Sequence, residues 1–139
     1  MHVVLQVLST ARILEKEALR IFKPHGLSAA QFNVLHLLSD QPAGMRASDL
    51  ARALIVDPSN VTGLLKRMKH VGLLVELENA HDRRQHVVGW TPKGRAAWKG
   101  AHRDYQKNLA ALDAALNPSS RKAAESVLQQ IERTVAALP

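Results

Sequence analysis

Residues 57–72 read Asp57-Pro58-Ser59-Asn60-Val61-Thr62-Gly63-Leu64-Leu65-Lys66-Arg67-Met68-Lys69-His70-Val71-Gly72, and the fold is decided there. Asp57 offers a side-chain acceptor to an orphan helix amide and Pro58 pre-sets φ for a first turn, so a helix is predicted to begin at this pair. Val61, Leu64, Leu65 and Met68 recur at three- and four-residue steps and give that helix one apolar side. Gly72 suits the left-handed backbone that closes a helix. The other face is short and polar at Ser59, Asn60 and Thr62, then cationic at Lys66 and Arg67.

Upstream, Leu50, Ala51 and Leu54 mark a short helix from about Ala47, its capping residue unclear and only Ile55 and Val56 following it. Two short helices joined by a tight turn are a helix-turn-helix. Downstream the period falls towards two: Leu73 to Leu77 and Gln85 to Trp90 read as strands around the polar tip Asn79, Ala80, His81, Asp82, Arg83 and Arg84. A hairpin in that place is a wing. Thr91 and Pro92 open a long helix whose stripe is Trp98, Ala101, Tyr105, Leu109, Leu112 and Leu116; Asn117 and Pro118 open a last one with Ala124, Val127, Leu128, Ile131, Val135 and Leu138.

At the other end, Val4, Val7, Leu8, Ala11, Leu14, Ala18 and Phe22 define a long first helix that Pro24, His25 and Gly26 terminate. Ser28 and Gln31 have the spacing of a capping box, and Leu27 and Phe32 that of a hydrophobic staple, for a second helix that buries Phe32, Leu35 and Leu38. Asp40 to Gly44 form the break after it. A central region of about fifty residues cannot cover three amphipathic helices, and their stripes would leave an apolar patch larger than monomers tolerate. A two-fold homodimer covers them.

Composition narrows the chemistry. The chain of 139 residues has no cysteine, which removes disulfides, thiolate catalysis and Cys-based zinc sites. Its formal net charge is +7, concentrated in the middle: from Arg46 to Asp104 there are 11 Lys and Arg against 6 Asp and Glu. Fixed positive charge on one face attracts a polyanion, so duplex DNA is the expected partner and a membrane is not. No apolar run has the length of a membrane span, and Met1 to Leu8 lacks the features of a signal peptide, so the expected compartment is the cytoplasm. There is no Gly-rich phosphate loop, Gly-X-Ser-X-Gly or His-Glu-X-X-His, so no catalytic residues are assigned and no enzyme or cofactor is expected. His81, Asp82 and His86 lie close enough in sequence for a minimal metal site, but a polar wing tip is read as solvated and no metal is assigned.

Leu50-Ala51-Arg52-Ala53-Leu54, the run from Asp57 to Met68, Gly72-Leu73-Leu74, Asp82-Arg83-Arg84 and Trp90-Thr91-Pro92-Lys93-Gly94 resemble, in their order and spacing, the MarR family of regulators. The likeness covers nearly the whole chain; Arg46, near the usual small polar cap, departs from the pattern. The resemblance implies a mainly α fold: a winged helix-turn-helix with a small β-hairpin wing at 28–91, flanked by dimerisation helices at 1–24 and 92–139, all in one domain. It implies a homodimeric transcription regulator, a repressor of a near-palindromic operator. An architectural or protein-interaction winged helix is the alternative. Ser59, Asn60 and Thr62 would present to bases and phosphates in the major groove, with Lys66 and Arg67 following. Arg84 would enter the flanking minor groove, where narrow A·T tracts concentrate negative potential, and Arg83 would reach a phosphate. By the family pattern Asp82 orients the tip through an ion pair. The resemblance also implies a pocket for a small aromatic or phenolic effector, which His25, His36, Trp98 and His102 would border.

Overall fold

A computed structural model describes residues 2–54, 58–78, 82 and 85–139 of the chain. Helix α1 (Val3–Phe22) is followed by a single 3-10 turn (Lys23–His25), then α2 (Ala29–Leu38), β1 (Met45–Arg46), α3 (Ala47–Leu54), α4 (Pro58–His70), β2 (Leu74–Glu78), β3 (His86–Trp90), α5 (Pro92–Ala115) and α6 (Pro118–Ala136). The chain divides into two compact units, Met1–Tyr105 and Gln106–Pro139.

Local signals account for several helix ends. The Ser28 hydroxyl accepts from the Gln31 amide at 3.1 Å while the Gln31 side chain accepts from the Ser28 amide at 3.0 Å, so the capping box closes in both directions. Asn117 accepts from the Ser120 amide at 2.7 Å and starts α6. Gly26 and Gly72 end their helices at φ of 73° and 79°, a region that costs a side-chain-bearing residue strain. Asp57, expected to cap α4, lies outside the described residues.

Both strands begin one residue later than expected; β2 spans Leu74–Glu78, ending one residue later as well, and β3 spans His86–Trp90, ending where expected. They pair antiparallel from Leu74 opposite Trp90 to Glu78 opposite His86. The expected two-stranded wing is corrected in one respect. The two residues of β1 join β3, Met45 opposite Val88 and Arg46 opposite Val87, which makes a three-stranded sheet of order β1-β3-β2. A strand of two residues has no alternation to read, because its identity comes from a partner some forty positions away.

The core lies within the first unit. Val34, Leu35, Leu50 and Met68 are fully buried, and Leu38, Val61, Leu65, Leu73, Leu74 and Val88 close around them. Phe22 stacks on Phe32 with centroids 4.2 Å apart, and Tyr105 meets both edge-on at 5.2 and 5.9 Å. Such contacts add to the area that these rings remove from water. In α1 only Ile21 and Phe22 are buried, while Val4, Leu5, Leu8 and Leu14 remain exposed. In the second unit, Leu112, Leu116, Val127, Leu128, Val135 and Leu138 are exposed, and α6 has no buried residue.

Candidate nucleic-acid interface

Helix α4 is fixed by its inner side. Val61, Leu65 and Met68 are 1%, 4% and 0% exposed, so the helix cannot rotate without lifting them from the core. That leaves Ser59, Asn60, Thr62, Lys66 and Arg67 all exposed on the outer side, as their spacing predicts. No ion pair with Lys66 or Arg67 is found among the described residues. Gly63 lies in the middle of this face. Asp82 is half-buried, whereas Arg83, Arg84 and His81 lie outside the described residues, and with them the expected minor-groove contact and the histidine-carboxylate cluster of the tip. Among the described residues no group of three or more His, Cys, Asp or Glu could hold a metal ion.

Polar contacts tie α4 to the wing and β1 to α3. Lys69 donates to Glu76 of β2 at 2.6 Å, and the His86 ring of β3 stands 3.8 Å from the same carboxylate. At the entry to α3, Asp49 accepts from Arg46 at 2.8 and 3.1 Å and from Arg52 at 2.8 Å. The hydrogen bond from Arg46 holds the Asp49 carboxyl below the usual carboxylate range, with burial opposing and the charges of Arg46 and Arg52 adding to the effect. Asp49 and this use of Arg46 were not foreseen. The signal was present as Arg46, Asp49 and Arg52 at three-residue steps, a spacing that places side chains together on a helix.

The end of β3 is a second junction. The Thr91 hydroxyl donates to the Gly72 carbonyl at 2.5 Å and accepts from the Gly94 amide at 3.0 Å, so one side chain joins the end of α4 to the start of α5. A Cβ on Gly94 would run into the Leu73 carbonyl, which explains a glycine in that first turn. Beside it, Trp90, Thr91, Pro92, Arg95, Ala96 and Lys99 line a groove of about 520 Å³.

The four residues expected around an effector pocket divide into two contacts. The His25 ring nitrogen Nε2 is 2.7 Å from Asp104 Oδ2. This hydrogen bond is the main reason that the Asp104 carboxyl sits below its usual range, with Arg103 contributing and burial opposing. Gly100 makes room for the ring, since a Cβ there would come within 2.8 Å of two of its atoms. Separately, the Trp98 indole N–H donates to His36 Nδ1 at 3.3 Å. His102 stacks on Trp98 at 4.7 Å and on His36 at 5.5 Å, and its buried Nδ1 has no hydrogen-bond partner among the described residues. Trp90 continues the row, 5.4 Å from Trp98.

A buried three-helix core, a recognition-type helix with a polar and cationic outer face and an antiparallel wing define a winged helix-turn-helix protein. Residues 25–85 match the model of the MarR family. The chain is 37% identical over 91 residues to the "Transcriptional activatory protein BadR" of Rhodopseudomonas palustris, covering 64% of this chain and 52% of that one. It is 33% identical over 95 residues to the "Homoprotocatechuate degradative operon repressor" of Escherichia coli, covering 68% and 63%. The chain thus spans between about half and two thirds of the length of these curated relatives. The M. tuberculosis transcriptional regulator MOSR, solved in complex with DNA, superposes with a TM-score of 0.72 at 26% identity, over 99% of this chain and 100% of that one. The chain is thus similar to transcription regulators of the MarR family.

Proposed function

We propose that this chain is a sequence-specific DNA-binding regulator that acts as a homodimer and represses transcription from a near-palindromic operator. The observation that carries the reading is the outer face of α4, where Ser59, Asn60, Thr62, Lys66 and Arg67 are exposed together on a helix locked from behind by Val61, Leu65 and Met68. Short polar groups suit base edges and phosphates near the N-terminal turn; the two cations suit bases or backbone farther along. Asp82, Arg83 and Arg84 would serve the wing, with Arg84 in the minor groove. The apolar stripe of α1 and the exposed apolar residues of the second unit are proposed as the dimer surface, which sets two half-sites about one helical turn apart.

An aromatic or phenolic effector is the proposed input. The groove at Trp90, Arg95 and Lys99 combines an indole with two cations, and the E. coli relative's name ties that protein to an aromatic degradative operon. Small anions with an aromatic ring fit such a lining.

Selection of bound duplexes from a random library, followed by salt titration of the winner against an unrelated duplex, tests the reading. A palindromic winner preferred by 10³-fold or more is expected. Equal, steeply salt-dependent binding to both duplexes would overturn it in favour of an architectural protein, and no binding would favour a protein-interaction module.

A further inference from the structure

We infer that Gly63 is a specificity-determining residue of the DNA-reading helix: the gap it leaves lets Arg67 lie back along α4 and reach a guanine edge. The inference rests on the proposed role of α4 in the major groove. Glycine is among the poorest helix formers, so one in the interior of a 13-residue helix needs a reason. Two ordinary reasons are absent. Its backbone is not left-handed, because the glycines with positive φ among the described residues are Gly26, Gly44 and Gly72. It is not a packing notch either. Among the described residues, and apart from its two chain neighbours and the helix backbone, the only atom within 4 Å of a Cβ built at Gly63 is a guanidinium nitrogen of Arg67, at 3.3 Å.

Helical geometry shows what remains. Ser59, Gly63, Lys66 and His70 follow at four- and three-residue steps, so Gly63 stands at the centre of the outer face with Thr62 and Arg67 beside it, opposite buried Val61, Leu65 and Met68. Arg67 does not extend away from the helix. Its guanidinium folds over Gly63 towards the turn that carries Ser59 and Asn60. The bare backbone there lets a base edge approach closely. The guanidinium lying over it presents a planar fork of donors, the geometry that matches O6 and N7 of guanine. A methyl group at position 63 would push the fork outward and hold the helix off the groove floor by the same step.

The test separates folding from reading. Gly63→Ala should raise the melting temperature by about 3–5 °C, since alanine favours the helix and meets only a flexible side chain. On the selected operator it should lose roughly tenfold to a hundredfold of the preference over unrelated duplex, the discrimination of one bidentate contact. Binding to unrelated duplex and its salt slope should stay the same, because no phosphate contact is removed. Arg67→Ala should relax specificity at the same base pair, and the double variant should lose little more than Arg67→Ala alone. A Gly63→Ala protein with full specificity, with equal losses on both duplexes, or with a lower melting temperature would overturn the assignment. A wild-type protein without sequence preference would overturn the DNA-reading function and this assignment together, a result distinct from a specific wild type whose variant is equally specific.

Discussion

Replacing Thr91 by valine removes a hydroxyl from the junction of α4, β3 and α5 while nearly keeping the shape of the side chain. In the wild type that hydroxyl accepts from the Gly94 amide and donates to the Gly72 carbonyl. The first bond caps α5, and losing such a cap costs about 1 kcal/mol. The second loss strips a carbonyl of its donor. Thr91 and Gly72 are only half-buried, so water takes up part of that deficit and about another 1 kcal/mol is expected. A total of about 2 kcal/mol lowers the melting temperature by roughly 6–8 °C in a chain of this size. Urea titration followed by far-UV circular dichroism should show the midpoint moving with an unchanged slope. Thr91→Ser, which keeps the hydroxyl, should recover most of the loss. If the valine variant lost less than about 0.5 kcal/mol, the junction would not depend on this side chain and the account of how α5 is started would be wrong.

Asp104 gives a prediction in pH. Its carboxyl lies below the ordinary range, first because His25 hydrogen-bonds to it. A carboxylate whose pKa falls on folding contributes stability above its unfolded value, about 3.9, and that contribution disappears as pH drops through the lower folded value. Asp104→Asn should therefore be less stable than wild type at neutral pH, with the gap starting to close only as pH falls below about 4 and vanishing below the lower folded value; a stability gap independent of pH would contradict the pairing. Truncation after Leu116 should leave a monomer by light scattering and abolish operator binding, whereas a dimeric truncated chain would remove α6 from the proposed interface. Lys66→Ala should weaken operator and unrelated duplex alike and reduce the salt slope by about one, and an unchanged slope would place Lys66 away from phosphate.

The parts of this fold that are legible in the sequence are those whose causes lie within a turn or two of chain. The Ser28 and Gln31 cap, the Asn117 cap, the Gly72 stop and the buried side of α4 all follow from spacing of three or four residues. What was missed depends on distant partners or on an uncertain boundary. The strand β1 exists because β3 pairs with it. His25 meets Asp104 across 79 positions, and His36 meets Trp98 across 62, so neither contact has a local signature. The Asp49 clasp was within reach of sequence reasoning, but the start of α3 was ambiguous and Arg46 was read as a departure from a pattern. On the candidate interface, the five outer residues of α4 stand exposed together as spacing predicts. Gly63 drew no notice, since a missing side chain gives periodicity nothing to register.

The row formed by Trp90, Trp98, His102 and His36 also has an optical consequence. The chain has two tryptophans, and their rings lie 5.4 Å apart. Its long-wavelength ultraviolet absorption and emission therefore originate at one spot, where the last residue of β3 meets α5. One indole donates to an imidazole and stacks on another. Any event that shifts α5 against the sheet should change the colour or yield of that emission, while events elsewhere in the chain should leave it dark to the spectrometer. The protein thus carries a fluorescent gauge of a single joint, readable without a dye.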